Sequence, residues 1–343
     1  MDQERRPTIY DVARHCGVAA STVSRTFSNP ARVSAGTREV VRAAAGEIGY
    51  EPRPLARAEA PGRVRVLTLV VTDISNPYFV TVIKAAQTRA NERNYTLALT
   101  DSDESARLEA SNLRQLLATT SGGILATSRL SDEVIRQIAG YRPLVMVNRR
   151  VDGVPSLVID TAAGMRKAVR HLAVLGHRRI AYLSGPRNSW ANGQRWQAIR
   201  EEAAALDVQV SFIGPFAPNR QGGQEAADAL VLGEASAAIG YNDLVAMGAL
   251  QRLRDIGVRV PDDLSLIGCD DIFGADLTVP GLTTIAGPAD EVGSRAVDVL
   301  HAGLGGQGDG AGSLTFDSHL VIRGSTGPAP DAPPARRATG GPS

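Results

Sequence analysis

The chain has 343 residues, of which 43% are hydrophobic, and its formal net charge is +1. This length exceeds that of one small domain and allows two or three domains with sizeable cores. The near-neutral charge does not by itself indicate a nucleic-acid partner. Residues 1–65 are nevertheless mildly basic, with eleven arginines against seven acidic residues.

Cysteine content and hydropathy exclude several classes of protein. Cys16 and Cys269 are far apart, so they suggest neither a disulfide framework nor a CxxC metal motif. The sequence has no apolar run of the roughly 18 residues that a membrane span needs. Its polar N-terminus also lacks the apolar segment of a signal peptide. We therefore expect a cytoplasmic protein with no membrane partner.

The first fifty residues predict three short helices. Apolar residues at i, i+3, i+4 and i+7 from Ile9 to Cys16 form one stripe over two helical turns, and Gly17 interrupts that stripe. Val23 and Phe27, four residues apart, give the second helix an inward face.

A third helix is predicted after a break at Asn29-Pro30. Ser34 is a favourable N-cap for this helix, and Gly49 stands where a left-handed residue commonly ends a helix. The pattern fits a helix-turn-helix over residues 8–27, in which the second helix enters the major groove of DNA. It fits a plain three-helix bundle with a solvated polar face equally well.

The outer face of the second helix would carry the DNA contacts. This face presents Ala20, Ser21, Ser24 and Arg25, with Thr22 beside it. An arginine there can bond a guanine bidentately, and serine or threonine hydroxyls can bond bases or phosphates.

Residues 51–62 predict a linker, and strand-like and helix-like segments alternate over residues 63–323. Strands are predicted at residues 64–72, 96–100, 122–127, 144–148, 157–160, 179–184, 209–213, 236–240, 264–268 and 315–322. Helices are predicted at residues 77–93, 104–119, 161–175, 192–206, 220–231, 242–257 and 289–302. This alternation indicates parallel sheets with helices on both faces, and comparable halves around residue 160 predict two lobes. The tail, residues 324–343, is predicted to be disordered because it is rich in glycine, proline and alanine.

Polar and aromatic residues collect where the predicted strands end. They are Asp73, residues 75–79, Asn148, and residues 184–186, 241–243 and 269–271. Open α/β sheets bind ligands at these carboxyl ends, and carboxylates, amides and aromatic rings suit a polyhydroxylated ligand. Each residue could instead be only a helix N-cap, but the cluster as a whole favours a ligand site.

Several sequence blocks resemble those of the lactose-repressor (LacI/GalR) family. In the head they are Thr8-Ile9-Tyr10-Asp11-Val12-Ala13-Arg14, Gly17-Val18, Thr22-Val23-Ser24-Arg25, Arg32-Val33-Ser34, Thr37-Arg38, Ile48-Gly49-Tyr50 and Pro54-Leu55-Ala56-Arg57. In the core they are Asp73-Ile74-Ser75-Asn76-Pro77-Tyr78-Phe79, Leu175-Gly176-His177-Arg178-Arg179-Ile180, Ser265-Leu266-Ile267-Gly268 and Leu282-Thr283-Thr284-Ile285. The resemblance implies a helix-turn-helix head (1–50), a hinge (51–62) and a two-lobed core like that of periplasmic binding proteins (63–323).

The resemblance also implies which residues contact operator DNA. The base-reading positions are taken by Ala20, Ser21 and Arg25. The positions expected mostly to contact phosphates or to serve packing are Tyr10, Thr22, Ser24 and Arg38. The expected DNA-binding set is completed by Thr8, Arg32 and Arg57.

Two positions depart from the family pattern. Ala19 stands where the family usually begins the recognition helix with serine, so a cap worth roughly 1 kcal/mol is lost. Glu59 stands where the hinge helix usually carries a leucine that wedges into the minor groove. A wedge must be apolar to replace base stacking, so we expect this protein to bend its operator less than its relatives do.

For the effector site, the resemblance gives Arg195 the clamping role, Asn242 the role of sugar-binding amide and Asp270 that of ligand carboxylate. The remaining expected effector-binding residues are Tyr78, Phe79, Asn148, Ser189, Trp190 and Phe216. Trp190 could equally be a packing residue of a lid loop.

Two positions bear on the ligand's identity. Ala191 cannot make the base-reading bond of purine-sensing relatives, which argues against a purine. Gly287 replaces a glutamine that often contacts sugar, so the ligand should differ in shape or size from lactose-type galactosides. We expect a sugar or glycoside.

The sequence thus predicts a DNA-binding regulator, most simply a repressor, that senses an effector and controls carbohydrate-utilisation genes from the nucleoid. A homodimer is expected, because operator half-sites favour two-fold symmetry and residues 324–343 lack the leucine helix of tetrameric relatives. An enzyme is disfavoured: nucleotide-binding, nucleophile-elbow and zinc-protease motifs are missing, and the spacing of His171 and His177 suits no helical metal pair. No metal or cofactor is expected. A periplasmic sugar-binding protein is disfavoured by the head and by the lack of a signal peptide.

Overall fold

The computed structural model describes residues 7–28, 33–50, 65–305 and 313–331. The chain divides into two compact units, a head of residues 1–63 and a core of residues 64–343. Among the described residues, no helix is both long enough and apolar enough to cross a bilayer.

The head contains three helices, as the sequence predicts: α1 (Ile9–Cys16), α2 (Ala20–Ser28) and α3 (Ala35–Glu47). Their inward faces form a small core that includes Val12, Val23 and Val41, all fully buried. Gly17 adopts a left-handed φ of 70° between α1 and α2, which lets the chain turn sharply there. The side-chain oxygen of Ser34 accepts a hydrogen bond from the Thr37 amide and caps α3, as expected.

The core alternates strands and helices. The strands are β1 (Arg65–Val71), β2 (Tyr95–Asp101), β3 (Gly122–Ala126), β4 (Leu144–Val147), β5 (Ser156–Ile159), β6 (Arg179–Leu183), β7 (Gln209–Ile213), β8 (Ala237–Gly240), β9 (Ser265–Cys269), β10 (Thr283–Ala286), β11 (Leu314–Phe316) and β12 (His319–Val321). The helices are α4 (Pro77–Glu92), α5 (Ala106–Leu117), α6 (Asp132–Ala139), α7 (Thr161–Val174), α8 (Trp190–Ala205), α9 (Arg220–Leu230), α10 (Asp243–Asp255) and α11 (Ala289–Leu304).

These strands form two six-stranded sheets, one in each lobe. The first-lobe sheet has the order β11-β5-β4-β3-β1-β2, and the second-lobe sheet has the order β12-β10-β9-β8-β6-β7. Neighbouring strands run parallel except for β10 and β12, which are antiparallel. The central strands β3, β4, β8 and β9 are buried along their whole length, as parallel strands covered on both faces must be.

The expectation of two sequential halves is wrong in one respect. After β10 the chain returns to the first lobe, where Val292 and Leu300 of α11 pack into the same hydrophobic core as Val82 of α4. Strand β11 then joins the first sheet and β12 joins the second. The stretch 315–322, predicted as one strand, is therefore two short strands in different sheets. Strand β10 is not among the strands predicted from the sequence.

The prediction that disorder begins at residue 324 is also wrong for residues 324–331. Ser325 is fully buried; its carbonyl accepts from the Leu266 amide at 2.8 Å, and its hydroxyl accepts from the Thr283 amide at 2.8 Å. The Gly327 carbonyl contacts the buried His177 ring at 3.1 Å. Hydrogen bonds from backbone and side chains thus hold a segment that has little apolar surface to bury. Residues 332–343 lie outside the described part of the chain.

Candidate functional site

Helix α2 presents the residues expected to read DNA. The side chains of Ser21 and Arg25 are exposed, whereas Thr22 and Ser24 are half-buried. Ala20 is also half-buried and packs against the core of the head, so part of its methyl surface serves the fold. The buried Val23 fixes how α2 is rotated, and this rotation turns Ser21 and Arg25 outward.

Contacts within the head engage two other expected DNA-binding residues. The Asp11 carboxylate accepts hydrogen bonds from the Thr8 amide at 2.8 Å and the Thr8 hydroxyl at 2.6 Å, which closes the start of α1. The Arg38 guanidinium donates to the Val33 carbonyl at 2.9 Å. Tyr10 is 66% exposed. Arg32, Arg57 and Glu59 lie outside the described residues, and so does the predicted hinge, 51–62.

A cleft lies where the carboxyl ends of the two core sheets face each other, at the place that strand polarity predicts. Six expected effector-binding residues line it: Tyr78, Phe79, Asn148, Arg195, Asn242 and Asp270. The rest of the lining is Thr72, Asn76, Glu104, Thr127, Arg129, Ala191, Pro218 and Tyr241. The space between these side chains is about 30 Å³. Small-molecule sites measure roughly 300 Å³ or larger, so the side chains around this cleft lie closer together than in a typical ligand site.

The second-lobe side of the cleft is organised around Arg195. Its guanidinium donates to the Tyr241 carbonyl, to Asp270 Oδ1 at 3.4 Å and to the Thr161 hydroxyl at 3.2 Å. It also lies over the Tyr241 ring, 5.0 Å from the ring centre. Burial raises the pKa of Asp270, and the positive charge of Arg195 offsets only part of that shift. The arrangement leaves a guanidinium and a carboxyl side by side in a buried pocket, where hydrogen bonds are strong.

The first-lobe side brings together Tyr78, Phe79 and Asn148. Asn148 Nδ2 donates to the Tyr78 hydroxyl at 2.5 Å, and Asn148 Oδ1 accepts from the Ile159 amide at 3.2 Å. Burial, and secondarily the nearby Asp270 carboxylate, raise the pKa of Tyr78, so the phenol stays protonated as a hydrogen-bonding group. The Asn148 amide thereby links two strand ends and fixes the position of the phenol.

Strained backbone conformations are concentrated around this cleft. Thr127, Asn148 and Asp270 have φ values of 55°, 55° and 115°, and each directly follows a strand. A left-handed conformation is unusual for a β-branched residue such as Thr127, whose hydroxyl is 3.0 Å from that of Thr72. Such strain persists where the surrounding structure holds it, and it is commonly found at ligand sites.

The structure separates two roles that the sequence left open for Asn242. Its side-chain oxygen accepts from the Val245 amide at 2.9 Å and caps α10, while its amide nitrogen donates to the Pro218 carbonyl at 3.0 Å. Both ends of the side chain are thus held by the protein, although Asn242 also lines the cleft.

Three of the expected effector-binding residues lie outside the lining. The buried Ser189 stands behind it, with its hydroxyl 3.0 Å from that of Tyr241. Trp190 is half-buried at the start of α8, and Phe216 packs partly against a second-lobe core. At Gly287, a Cβ atom would come within 2.4 Å of Ile159 Cγ2, so the glutamine of relatives does not fit here without rearrangement.

Glu104 and Arg129 line the cleft but are not among the residues predicted from the sequence. Each lies three residues after a strand, β2 and β3 respectively. A strand-end rule that reaches three residues beyond each strand would include both of them.

Comparison with known proteins identifies the family. Residues 8–53 match the model of bacterial regulatory proteins of the lacI family, and residues 169–326 match that of periplasmic binding protein-like domains. The transcriptional repressor CytR of Escherichia coli (strain K12) is 33% identical over 334 residues, covering 94% of this chain and 97% of CytR. The transcriptional regulator DegA of Bacillus subtilis (strain 168) is 31% identical over 333 residues, covering 94% and 99%.

Solved structures agree with this assignment. A Lac repressor dimer bound to operator and the anti-inducer ONPF is 27% identical, with a TM-score of 0.70, and the match covers 94% of this chain and 100% of that one. A complex of the transcriptional regulator CelR with cellobiose is 28% identical, with a TM-score of 0.68 and coverage of 93% and 100%. A helix-turn-helix head with a two-lobed α/β core defines a class of DNA-binding transcriptional regulators. This chain belongs to the lacI family of that class.

Proposed function

We propose that this protein is a repressor whose operator affinity is switched by a sugar or glycoside bound between the two lobes of the core. The observation that carries the proposal is the cleft itself. Arg195 and Asp270 from one lobe face Tyr78 and Asn148 from the other in a buried, strained and polar site. The regulated genes are proposed to be those of carbohydrate utilisation.

Operator recognition is assigned to the exposed face of α2. Arg25 is the long side chain on that face, and its guanidinium can bond both O6 and N7 of a guanine. Ser21 is short and exposed, so it suits close approach to a base edge or a phosphate. The half-buried Thr22 and Ser24 fit phosphate contact or packing.

The chemistry of the cleft supports a polyhydroxylated effector. A sugar hydroxyl both donates and accepts, so adjacent hydroxyls can donate to the Asp270 carboxylate while accepting from the Arg195 guanidinium. The aromatic rings of Tyr78 and Phe79 offer apolar faces for the C–H surface of a sugar ring. The CelR structure contains cellobiose, a ligand of this class.

Switching follows from linkage between ligand binding and lobe closure. The cleft residues come from both sheets, so a bound effector changes the free-energy difference between open and closed cores. It alters DNA affinity only to the extent that it binds one of these states more tightly than the other.

A homodimer in the cytoplasm, located at the nucleoid, completes the proposal. The loop between β9 and β10 exposes the apolar side chains of Phe273 (85%), Leu277 (66%) and Val279 (80%). Such a patch is costly on a monomer. A second copy is the proposed occupant, because a two-fold dimer matches the two half-sites of an operator. The Lac repressor structure is likewise a dimer.

Fluorescence anisotropy with labelled promoter DNA from the neighbouring genes tests the proposal. We expect salt-dependent, sequence-specific binding that at least one carbohydrate in a broad panel changes severalfold. A panel of purines and nucleosides serves as the comparison ligands. If purines alter DNA binding and every carbohydrate leaves it unchanged, the sugar effector is refuted. If no promoter fragment binds more tightly than random DNA, the assignment of α2 is refuted.

A further inference from the structure

A second ion pair, Arg129 with Glu104, lies in the cleft. Arg129 Nε donates to Glu104 Oε2 at 2.6 Å and Nη2 donates to Oε1 at 3.1 Å, which is the bidentate fork typical of arginine and carboxylate. The third nitrogen, Nη1, donates to the Thr127 carbonyl at 2.8 Å. The Arg129 side chain is 2% exposed, against 25% for Glu104, so the pair is largely removed from water.

The loop that carries Arg129 is held in place from behind. The Arg129 amide donates to the buried carboxylate of Glu109 at 2.8 Å. The buried guanidinium of Arg149 donates to the carbonyls of Ser128 at 2.7 Å and Leu130 at 2.5 Å, the residues on either side of Arg129. The side chains of Glu109 and Arg149 therefore fix the position of this loop. Such support is typical of a residue whose exact position matters for binding.

Backbone strain points the same way. Glu104 and its neighbour Asp103 have φ values of 56° and 47°, and Thr127, which accepts from Arg129, is left-handed as well. Two consecutive non-glycine residues in the left-handed conformation cost free energy. A solvent-exposed ion pair is too weak to offset that cost.

Tyr241 connects this pair to the Arg195–Asp270 pair on the opposite side of the cleft. Its phenol interacts with the Arg129 guanidinium and lies 3.0 Å from the Ser189 hydroxyl. Its backbone carbonyl and the face of its ring hold Arg195. One tyrosine thus has an arginine–carboxylate pair at each end, one from each lobe.

We propose that Arg129 and Glu104 form the first-lobe half of the effector site, and that the two opposed ion pairs select an uncharged ligand with hydroxyl groups at both ends. Each pair offers guanidinium N–H donors beside carboxylate acceptors, which match adjacent hydroxyl groups. The two arginines are balanced by the two carboxylates. An anionic sugar adds a negative charge to this balanced, poorly solvated site and is rejected.

This inference rests on the proposed function, since it specifies the class of sugar that the cleft accepts. Removing the Glu104 charge leaves Arg129 without its counter-ion, and the site then attracts an anion. Removing both charges restores the balance. A residue with a purely structural role would affect neutral and anionic ligands equally, so the ratio of their affinities distinguishes the two cases.

Isothermal titration of the full-length protein with matched sugars provides the test. The probes are cellobiose, glucose and glucuronate, galactose and galacturonate, and ribose and ribose 5-phosphate. For wild type, we expect the neutral member of a pair to bind about tenfold or more tightly than its anion. E104Q should reduce this preference by about tenfold or reverse it, while R129Q/E104Q should recover it with weaker binding overall.

The matched control is E133Q, which removes an exposed carboxylate at the start of α6 and should leave every affinity unchanged. Thermal melting of each variant establishes that it is folded, and the double variant covers the case in which E104Q alone is unstable. The inference is overturned if wild type prefers the anions, or if E104Q keeps the wild-type ratio in a folded protein. If no carbohydrate binds wild type, the proposed sugar effector fails and this inference fails with it.

Discussion

Asp243 makes the stability of this protein depend on pH in a direction opposite to that of most carboxylates. It is fully buried at the start of α10. Its carboxyl oxygens accept from the Thr284 hydroxyl at 2.5 Å and from the Ile272 amide at 2.8 Å. Burial, followed by repulsion from Asp270, raises the pKa of Asp243 from 3.8 to about 7 despite these two hydrogen bonds. The folded protein therefore binds this proton more strongly than the unfolded chain does.

The sign and size of the effect follow from linkage. The stabilising contribution of protonated Asp243 is fully present below pH 3.8 and is lost as the pH rises through about 7. A shift of about 3 pK units corresponds to ~4 kcal/mol over the whole window. Between pH 5 and pH 8, the accessible part is about 2–3 kcal/mol.

The substitution Asp243→Asn isolates this contribution. Asparagine resembles the protonated acid, since its oxygen can accept from the Ile272 amide while its nitrogen donates to a rotated Thr284 hydroxyl. Urea unfolding of wild type and D243N should therefore show a difference in unfolding free energy that grows with pH from 5 to 7 in favour of D243N, and levels off above pH 7.

The control is Asp152→Asn, which changes an exposed carboxylate in a turn of the first lobe. Its difference from wild type should not vary with pH. A constant difference in unfolding free energy between wild type and D243N across pH 5–8 would show that Asp243 is ionised throughout and that burial does not raise its pKa.

Three further predictions concern DNA binding and assembly. Arg25→Ala should weaken specific operator binding by about 1–3 kcal/mol and leave non-specific binding nearly unchanged; an intact footprint of the operator would contradict the placement of the recognition helix. Because Glu59 replaces an apolar wedge, a circular-permutation assay should show a smaller bend than for the Lac repressor, and a strong central kink would refute this. Sedimentation should give a dimer, and Phe273→Ser should weaken it because the substitution removes an apolar side chain from the proposed interface. A tetramer, or a dimer whose stability does not change on substitution, would contradict that interface.

The cleft combines strained backbone with stably packed strands. Thr127, Asn148 and Asp270 hold unfavourable backbone angles, yet each follows a fully buried strand. The strands supply packing free energy that offsets the backbone strain at their ends.

Elements that depend on local patterning can be predicted from the sequence alone. Helical spacing from Ile9 to Cys16, the Gly17 turn and the Ser34 cap specify the three helices of the head through near-neighbour contacts and backbone hydrogen bonds. The alternation of strands and helices likewise indicated parallel sheets, and the strand-end rule identified seven of the residues that line the cleft.

Which distant segments meet is visible only in the folded chain. Helix α11 packs in the first lobe, Ser325 hydrogen-bonds to β9, and Glu104 pairs with Arg129. Local sequence patterns do not predict these contacts, because each joins residues far apart in sequence. Asparagine is suited both to capping a helix and to binding a sugar, so the sequence leaves both roles open for Asn242. In the structure its side chain bonds the Val245 amide and the Pro218 carbonyl, which gives it a capping role. Local interactions select the elements, while burial and charge pairing between elements select the site.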